Sequence, residues 1–164
     1  MKTFLYDTFC GLYCGACDLM AAFRKGVEAG KPAAWEDLPL SYRKKLPTGQ
    51  GLDIVCYGCK SDTVYAGCSK CPVRKCAKET MKVAFCQECR KYPCERFRAL
   101  NLFQWLLRKR LPHLKTVKPN RDFIKKNGTD AWLAQQESEW KCPRCKTPLT
   151  WYKKTCSRCG KDCV

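Results

Sequence analysis

A chain of 164 residues with 16 cysteines and a formal net charge of +17 can bury only a modest apolar core, so cross-links or metal ions must supply part of its stability. No stretch reaches the roughly 18 consecutive apolar residues of a membrane span, and the start MKTFLYDTFC lacks the apolar run of a secretory signal. We therefore expect a cytoplasmic protein with no membrane partner, whose reduced thiols bind metal ions rather than pair as disulfides.

The positive charge favours an anionic partner, although the formal count overstates it. Metal-bound cysteines are thiolates, and a zinc ion with four thiolates carries a net charge of about −2. Three or four such sites would leave a net charge of about +9 to +11. The protein remains basic, and this charge favours nonspecific attraction to nucleic acid.

The first cysteine motif, CGLYCGAC, places Cys10, Cys14 and Cys17 within eight positions. A structural zinc site closes with four protein ligands, so this loop lacks one ligand. Asp7 or Asp18 could complete a mixed site, although an aspartate directly after a cysteine equally suits a helix start. The same cysteine spacing occurs in radical enzymes that bind a [4Fe-4S] cluster, but this chain is too short for the barrel that those enzymes need.

Apolar residues at helical spacing predict helices over 16–28, 93–111, 121–128 and 129–140, with a short helix capped by Asp37 and another within 73–83. Trp132 and Leu133 are expected in the core. The 93–111 helix has the clearest apolar stripe, with basic residues beside it that we interpret as solvated flanks. The residues of this stripe are Phe97, Leu100, Phe103, Leu107 and Leu111.

Cysteine dominates the segment from residue 56 to residue 94, and metal must organise it. The simplest partition by sequence gives one site to Cys56, Cys59, Cys68 and Cys71, and a second to Cys76, Cys86, Cys89 and Cys94. Cys10, Cys14 and Cys17 are then the incomplete group. Interleaved pairs, in which segments distant in sequence share one metal, are equally compatible with the spacing.

Zinc is the favoured metal at several sites, and a [4Fe-4S] cluster is the alternative. Cys71 precedes Pro72, as the last cysteine of a ferredoxin motif often does, but the compact ferredoxin spacing is absent. The single histidine, His113, is expected at the surface rather than as a base or ligand. No phosphate-binding loop, dinucleotide fingerprint or serine elbow is present, so the sequence favours a non-enzymatic protein.

The C-terminal sequence KCPRCKTPLTWYKKTCSRCGKDCV predicts a β-hairpin zinc ribbon with the ligands Cys142, Cys145, Cys156 and Cys159. Cys163 is left over as an alternative ligand or a free thiol. Basic residues interleaved with Trp151 and Tyr152 could contact phosphates and stack bases, or simply keep a small ribbon soluble around an aromatic core. The candidate nucleic-acid contacts are Lys153, Lys154 and Arg158.

The order CGLYCGAC, CYGCKS, CSKCPVRKCAKE and CQECRKYPCERF, followed by a long helix, resembles a prokaryotic cysteine-rich family labelled domain of unknown function 3795, over about residues 6–140. Members often carry proline after the third cysteine, where this chain has Asp18. The resemblance implies a small metal-binding cytosolic protein and supplies no activity. The C-terminal ribbon looks like an accessory of some relatives.

We therefore predict a small metal-stabilised, α-rich cysteine domain with irregular metal-binding loops over 1–138, and the zinc ribbon over 139–164. The predicted function is that of a zinc-binding interaction module that docks on nucleic acid or a protein partner. The alternative is an iron-sulfur redox enzyme, or a metal or sulfur carrier, that uses the three-cysteine loop as an open site.

Overall fold

The computed structural model describes residues 3–153 and 155–163. Over these residues the α-helices are α1 (Asp18–Glu28), α2 (Leu40–Lys45), α3 (Ala66–Ser69), α4 (Pro72–Lys75), α5 (Glu95–Leu107), α6 (Val117–Asn127) and α7 (Thr129–Glu139). A π-helical turn, Cys76–Thr80, continues α4. Short 3-10 turns lie at Cys14–Ala16, Trp35–Asp37, Pro47–Gly49, Cys86–Glu88 and Pro112–Lys115. None of the described helices combines the length and the apolar composition that crossing a membrane requires.

The predicted helices of the first half are present with altered ends. α1 begins at Asp18, because a tight 3-10 turn occupies the residues before it. Asp37 does not cap the next helix as predicted; its carboxylate accepts a hydrogen bond from the Ala34 amide at 2.8 Å, and α2 begins at Leu40. The helix predicted within 73–83 is divided between α4 and the π-helical turn.

In the second half, α6 is longer than predicted. It begins at Val117, because Pro119 lies in its first turn, where a missing N–H costs nothing. Gly128 ends α6 with a φ of +84°, as its predicted role as a cap requires. α7 follows immediately, and its Trp132 is fully buried, as predicted.

The N-terminal segment connects parts of the chain that are distant in sequence. The Leu5 amide donates a hydrogen bond to the Tyr57 carbonyl at 2.8 Å, and the Cys86 amide donates to the Phe9 carbonyl at 3.0 Å. These two bonds bring the cysteine motifs around residues 10, 59 and 86 together.

Two apolar clusters bury most of the large side chains. The first lies around α1 and α2, and its buried members include Leu19, Met20, Leu38, Tyr42, Ile54, Tyr65 and Tyr152. The second connects the first cysteine motif to α6 and α7 through Tyr13, Ala16, Phe85, Ile124 and Trp132. Tyr152 and Trp151 from the C-terminal segment therefore pack against residues of the helical part, and the division at 138/139 stays a prediction.

α5 departs from its predicted stripe. Phe97 and Leu111 are buried as expected, but Phe103 is 54% exposed, and Gln104 is buried instead. The helix also ends at Leu107, four residues before the predicted end. The outer face of α5 therefore carries Phe103, which belongs to the predicted stripe, together with Leu102, Trp105 and Leu106, which lie outside it.

Gly58 marks the closest backbone approach in this arrangement. Its φ is +117°, and a Cβ atom at this position would lie 1.9 Å from the Leu5 carbonyl oxygen. We expect Gly58→Ala to lower the free energy of unfolding by at least about 2 kcal/mol, because both the conformation and the backbone contact forbid a side chain. Urea unfolding of the metal-loaded protein measures the loss.

Gly51→Ala is the matched control for that substitution. Gly51 has a φ of +81° with no atom within 4 Å of a built Cβ, so only the conformational cost of about 1 kcal/mol applies. Equal losses in the two variants would show that the contact with Leu5 does not constrain the fold.

Candidate metal centres

The C-terminal thiol group consists of Cys142, Cys145, Cys156 and Cys159, whose Sγ atoms all lie within 4.8 Å of one another. The Sγ atoms of Cys142 and Cys159 are 3.6 Å apart, and those of Cys145 and Cys156 are 3.5 Å apart. A tetrahedral ion with metal–sulfur bonds of about 2.3 Å places its sulfurs about 3.8 Å apart. These four thiols therefore have the spacing of ligands to a single metal ion.

Two similar turns shape this group. The Lys146 amide donates to the Cys142 carbonyl at 2.9 Å, and the Gly160 amide donates to the Cys156 carbonyl at 3.1 Å. Lys146 has a φ of +60° and Gly160 a φ of +69°, so a lysine adopts the left-handed conformation that glycine supplies in the second turn. The two C-x-x-C pairs thus present their thiols in equivalent ways.

Backbone amides of the first turn favour the thiolate form. Hydrogen bonding by the Cys145 backbone, and then by the Arg144 backbone, lowers the pKa of Cys142 to about 6. The Thr147 hydroxyl lowers the pKa of Cys145. The Lys161 backbone lowers the pKa of Cys159, but burial and neighbouring thiols outweigh it and raise that pKa to about 11. A metal ion needs all four as thiolates, and the first pair is already suited to this state.

Cys163 adds a fifth thiol at the edge of the group. Its Sγ lies 3.8 Å from the Cys142 Sγ and 3.2 Å from the Lys161 carbonyl oxygen, to which it donates. Cys163 is therefore close enough to replace a ligand, and its predicted alternatives, ligand or free thiol, both stay open.

The predicted β-hairpin is wrong for the described part of the C-terminal segment, residues 139–153 and 155–163. Only isolated bridges occur there, including Lys141 with Pro148. The Trp151 amide donates to the Ala16 carbonyl at 3.1 Å, and the Ser41 hydroxyl donates to the Tyr152 carbonyl at 2.6 Å. Backbone groups that a hairpin would pair with each other instead bind the helical part of the protein.

Trp151 and Tyr152 are not available to stack on bases, because they pack against the helical part. Tyr152 is 6% exposed and meets the Tyr42 ring edge-on at 5.1 Å. The His113 ring stacks on Trp151 at 4.9 Å, and its Nδ1 lies 3.0 Å from the Tyr152 hydroxyl. The prediction of a surface histidine is therefore wrong. The two aromatics are covered, but by the helical part rather than within a core of the ribbon.

Two of the three basic residues predicted to contact nucleic acid lie at the surface of the described structure. Lys153 and Arg158 are exposed, so their charges can reach a partner. Lys154 lies outside the described residues.

Asp7 and Asp18, the predicted additional ligands of the first motif, each face another part of the protein. Asp7 forms an ion pair with Lys60. The Asp18 carboxylate is buried, and neither of its oxygens accepts a hydrogen bond of normal geometry. Burial raises the pKa of Asp18 to about 6, although the nearby Thr150 hydroxyl and Tyr152 backbone oppose this shift. Asp18 therefore faces the C-terminal segment.

The first motif shares its surroundings with the second. Burial raises the pKa of Cys14 well above its usual range, and the neighbouring Cys59 and Cys17 thiols raise it further. Burial also raises the pKa of Cys68, followed by the Cys17 and Cys56 thiols. Cys14 and Cys17 thus lie among cysteines that the partition by sequence had assigned to a separate site.

Cys10 has a different set of neighbours. Burial raises its pKa, and the Cys71 thiol raises it further. Burial, followed by Cys10 and then Cys71, raises the pKa of Cys59 to about 12. The Arg74 side chain donates to the Cys59 carbonyl at 2.8 Å and holds α4 against this loop. The partition by sequence and interleaved sharing of the 10–17, 56–59 and 68–71 motifs both stay predictions.

A third neighbourhood lies around Cys86. Burial raises the pKa of Cys86 to about 12, and the Cys10 thiol raises it further, followed by Cys94, Cys76 and Cys89. Cys10 is near because the Cys86 amide donates to the carbonyl of the adjacent Phe9. The partition by sequence, which leaves Cys10 out of this group, stays a prediction. All sixteen cysteines are free thiols, so no disulfide competes with these groupings.

Thiol spacing distinguishes the two halves. In the described part of the chain, the C-terminal thiol group is the single set of three or more ligand side chains with mutual distances within 4.8 Å. No three of the eleven N-terminal cysteines, at positions 10 to 94, meet this limit. The positions of the cysteines in the sequence do not show which motifs lie close together. That depends on the backbone hydrogen bonds that Leu5 and Phe9 form with distant residues.

His113 provides a pH test of how the C-terminal segment packs. Burial lowers its pKa from 6.5 to about 4, so the folded protein holds the ring neutral while the unfolded chain protonates it. The stability from this group is full above pH 6.5 and falls as pH drops from 6.5 towards 4, by about 1.4 kcal/mol per pH unit.

We expect His113→Gln to remove this contribution, which is measured as the difference in unfolding free energy between wild type and variant across that range. Metal release at low pH affects both proteins and cancels in the difference. A difference that does not vary with pH would contradict a buried, neutral His113.

Comparison with known proteins gives one match. A family model described as a protein of unknown function (DUF3795) matches residues 6–99, a range that contains all eleven N-terminal cysteines and excludes the C-terminal thiol group. The match ends before the residue 140 expected from the motifs. Neither the curated proteins nor the solved structures give a match. More than half of the chain fits the model, and the protein therefore belongs to the DUF3795 family.

Proposed function

We propose that this protein is a zinc-stabilised interaction module of the cytoplasm, whose C-terminal thiol group binds one zinc ion. The observation that carries this proposal is the spacing of four thiols at the distances of a single tetrahedral site. Cysteine thiolates at this geometry suit zinc, which has no redox chemistry of its own. Four protein ligands leave no open position, so the role of this ion is structural.

The zinc ion fixes more than its own loop. Leu149 packs against the buried Cys142 and Cys156, and the segment between the two cysteine pairs supplies Trp151 and Tyr152 to the helical part. Loss of the metal would release both ends of this segment. The proposed ion therefore holds the C-terminal segment on the rest of the protein.

Elemental analysis after anaerobic purification tests the site. We expect Cys145→Ser to lower the zinc content by about one ion per chain, because it removes one of four ligands. Cys163→Ser is the matched control, since it makes the same chemical change at the same site on a thiol outside the group of four. We expect it to retain the zinc of the wild type. Because Cys163 lies close enough to replace a lost ligand, the deciding variant combines Cys145→Ser with Cys163→Ser, and unchanged zinc in this double variant would contradict the proposal.

A second candidate function is specific to the N-terminal cysteines. A [4Fe-4S] cluster binds each thiolate through a different iron, so its ligands lie farther apart than those of one ion. The wider spacing of the N-terminal cysteines favours such a cluster, with redox chemistry or sulfur transfer as its use. In the same analysis, about four irons per cluster would support it, and zinc with negligible iron would exclude it.

The proposed partner of the C-terminal segment is nucleic acid, bound through phosphate contacts. The support is the exposure of Lys153 and Arg158 on a basic protein. We expect Lys153→Gln with Arg158→Gln to weaken binding to single-stranded RNA and to lower the slope of log affinity against log salt by about 1.4, because two phosphate contacts are lost.

Lys125→Gln with Lys126→Gln is the control for that variant, since it removes the same charge from exposed positions at the end of α6. We expect a smaller effect. Equal effects of both variants would assign the binding to net charge and remove the C-terminal segment from this role.

A further inference from the structure

The outer face of α5 exposes four large apolar side chains within five positions. The exposed fractions are 58% for Leu102, 54% for Phe103, 57% for Trp105 and 60% for Leu106. The opposite side of the same helix is buried through Phe97. A helix that is apolar on all sides is normally covered on all sides, and a contiguous exposed apolar patch marks an interaction site.

Cations enclose this patch. Arg98, Leu102 and Leu106 follow one another at intervals of four residues, so they form one row along the helix. The row is about 12 Å long, at about 1.5 Å per residue. Lys109 follows in the turn directly after α5, so exposed cations precede and follow the apolar side chains. Arg108, whose guanidinium lies 5.6 Å from the Trp105 ring centre, adds a further charge beside the row.

The composition of the surface is restricted to two kinds of side chain. Over residues 98–110, all of which the structure describes, the neutral polar residues Asn101 and Gln104 are not among the exposed ones. The exposed residues are Arg98, Ala99, Leu102, Phe103, Trp105, Leu106, Arg108, Lys109 and Arg110. This stretch therefore exposes apolar and cationic groups only.

This restriction argues against the common macromolecular partners. A protein interface carries about one hydrogen bond per 100–200 Å², from donors and acceptors on both sides, whereas the exposed side chains of this stretch offer the donors of arginine and lysine and no acceptor. A second copy would bring its own exposed cations against these and repel them. Nucleic acid would match the cations, and Phe103 and Trp105 could stack on bases, but the aliphatic Leu102 and Leu106 offer nothing to phosphates or base edges.

An anionic bilayer surface matches both kinds of side chain. Leucine, phenylalanine and tryptophan enter the boundary between headgroups and acyl chains, while arginine and lysine at the same depth reach lipid phosphates. A convex helix face needs no shaped groove to bind such a surface. The absence of a spanning segment, from which we expected no membrane partner, does not bear on a helix that lies in the interface.

We propose that the outer face of α5 binds the surface of an anionic lipid bilayer, with Leu102, Phe103, Trp105 and Leu106 inserted and Arg98 and Lys109 on lipid phosphates. The helix lies parallel to the membrane plane while its buried side keeps its contacts with the protein. This site is distinct from the metal centres and goes beyond the function proposed above.

Co-sedimentation with lipid vesicles tests the proposal on the full-length, metal-loaded protein. We expect binding to vesicles of phosphatidylcholine with phosphatidylglycerol, and little binding to phosphatidylcholine alone. Leu102→Ser with Leu106→Ser should weaken the binding by about tenfold or more, because two inserted side chains are lost. Leu40→Ser with Leu52→Ser is the control, since these leucines are 57% and 43% exposed and do not belong to α5.

A charge variant completes the test. We expect Arg98→Gln with Lys109→Gln to weaken binding to the anionic vesicles more than Lys125→Gln with Lys126→Gln does. Circular dichroism and urea unfolding confirm that each variant is folded, and Leu102→Ser alone replaces the double variant if that fails to fold.

Three results would overturn the proposal. The first is an absence of wild-type binding to anionic vesicles. The second is equal binding by the Leu102/Leu106 variant and its control, which would reduce the contact to net charge. The third is RNA or protein binding that depends on these leucines while vesicle binding does not.

Discussion

Burial of neutral thiols is the constraint on which this fold depends. The N-terminal cysteines lie in the centre of the helical part, where desolvation raises the pKa of Cys17, Cys59 and Cys86 to about 12. A metal binds thiolates, so loading this region requires the release of protons. The C-terminal thiol group is the opposite case, because amide hydrogen bonds lower the pKa of Cys142 to about 6. The two halves thus differ in how far the protein alone prepares its ligands.

The sequence was informative where local rules dominate. Apolar periodicity located α1, α6 and α7, and the spacing of the last two C-x-x-C pairs identified the four thiols that the structure brings together. Both signals are local, since helical periodicity and a tight turn depend on neighbouring residues. Helix ends were less accurate, because a 3-10 turn before Asp18 and a proline in the first turn of α6 moved them.

Predictions that required long-range pairing failed or stayed open. No local rule shows that the Trp151 amide would bind the Ala16 carbonyl, and this bond explains why the expected hairpin is replaced by isolated bridges. His113 was placed at the surface because its aromatic partners lie about forty residues away in sequence. The stripe analysis of α5 selected one apolar face of a helix that has two, and periodicity could not decide which side is covered.

The hydrogen bond between the Trp151 amide and the Ala16 carbonyl links the two cysteine-rich regions of the chain. Ala16 lies between Cys14 and Cys17, while Trp151 lies between the two cysteine pairs of the C-terminal group. A ligand that orders one side of this bond also orders the other, and the coupling is reciprocal by linkage. If the two regions bind metal as proposed, ordering of one region would therefore favour ordering of the other.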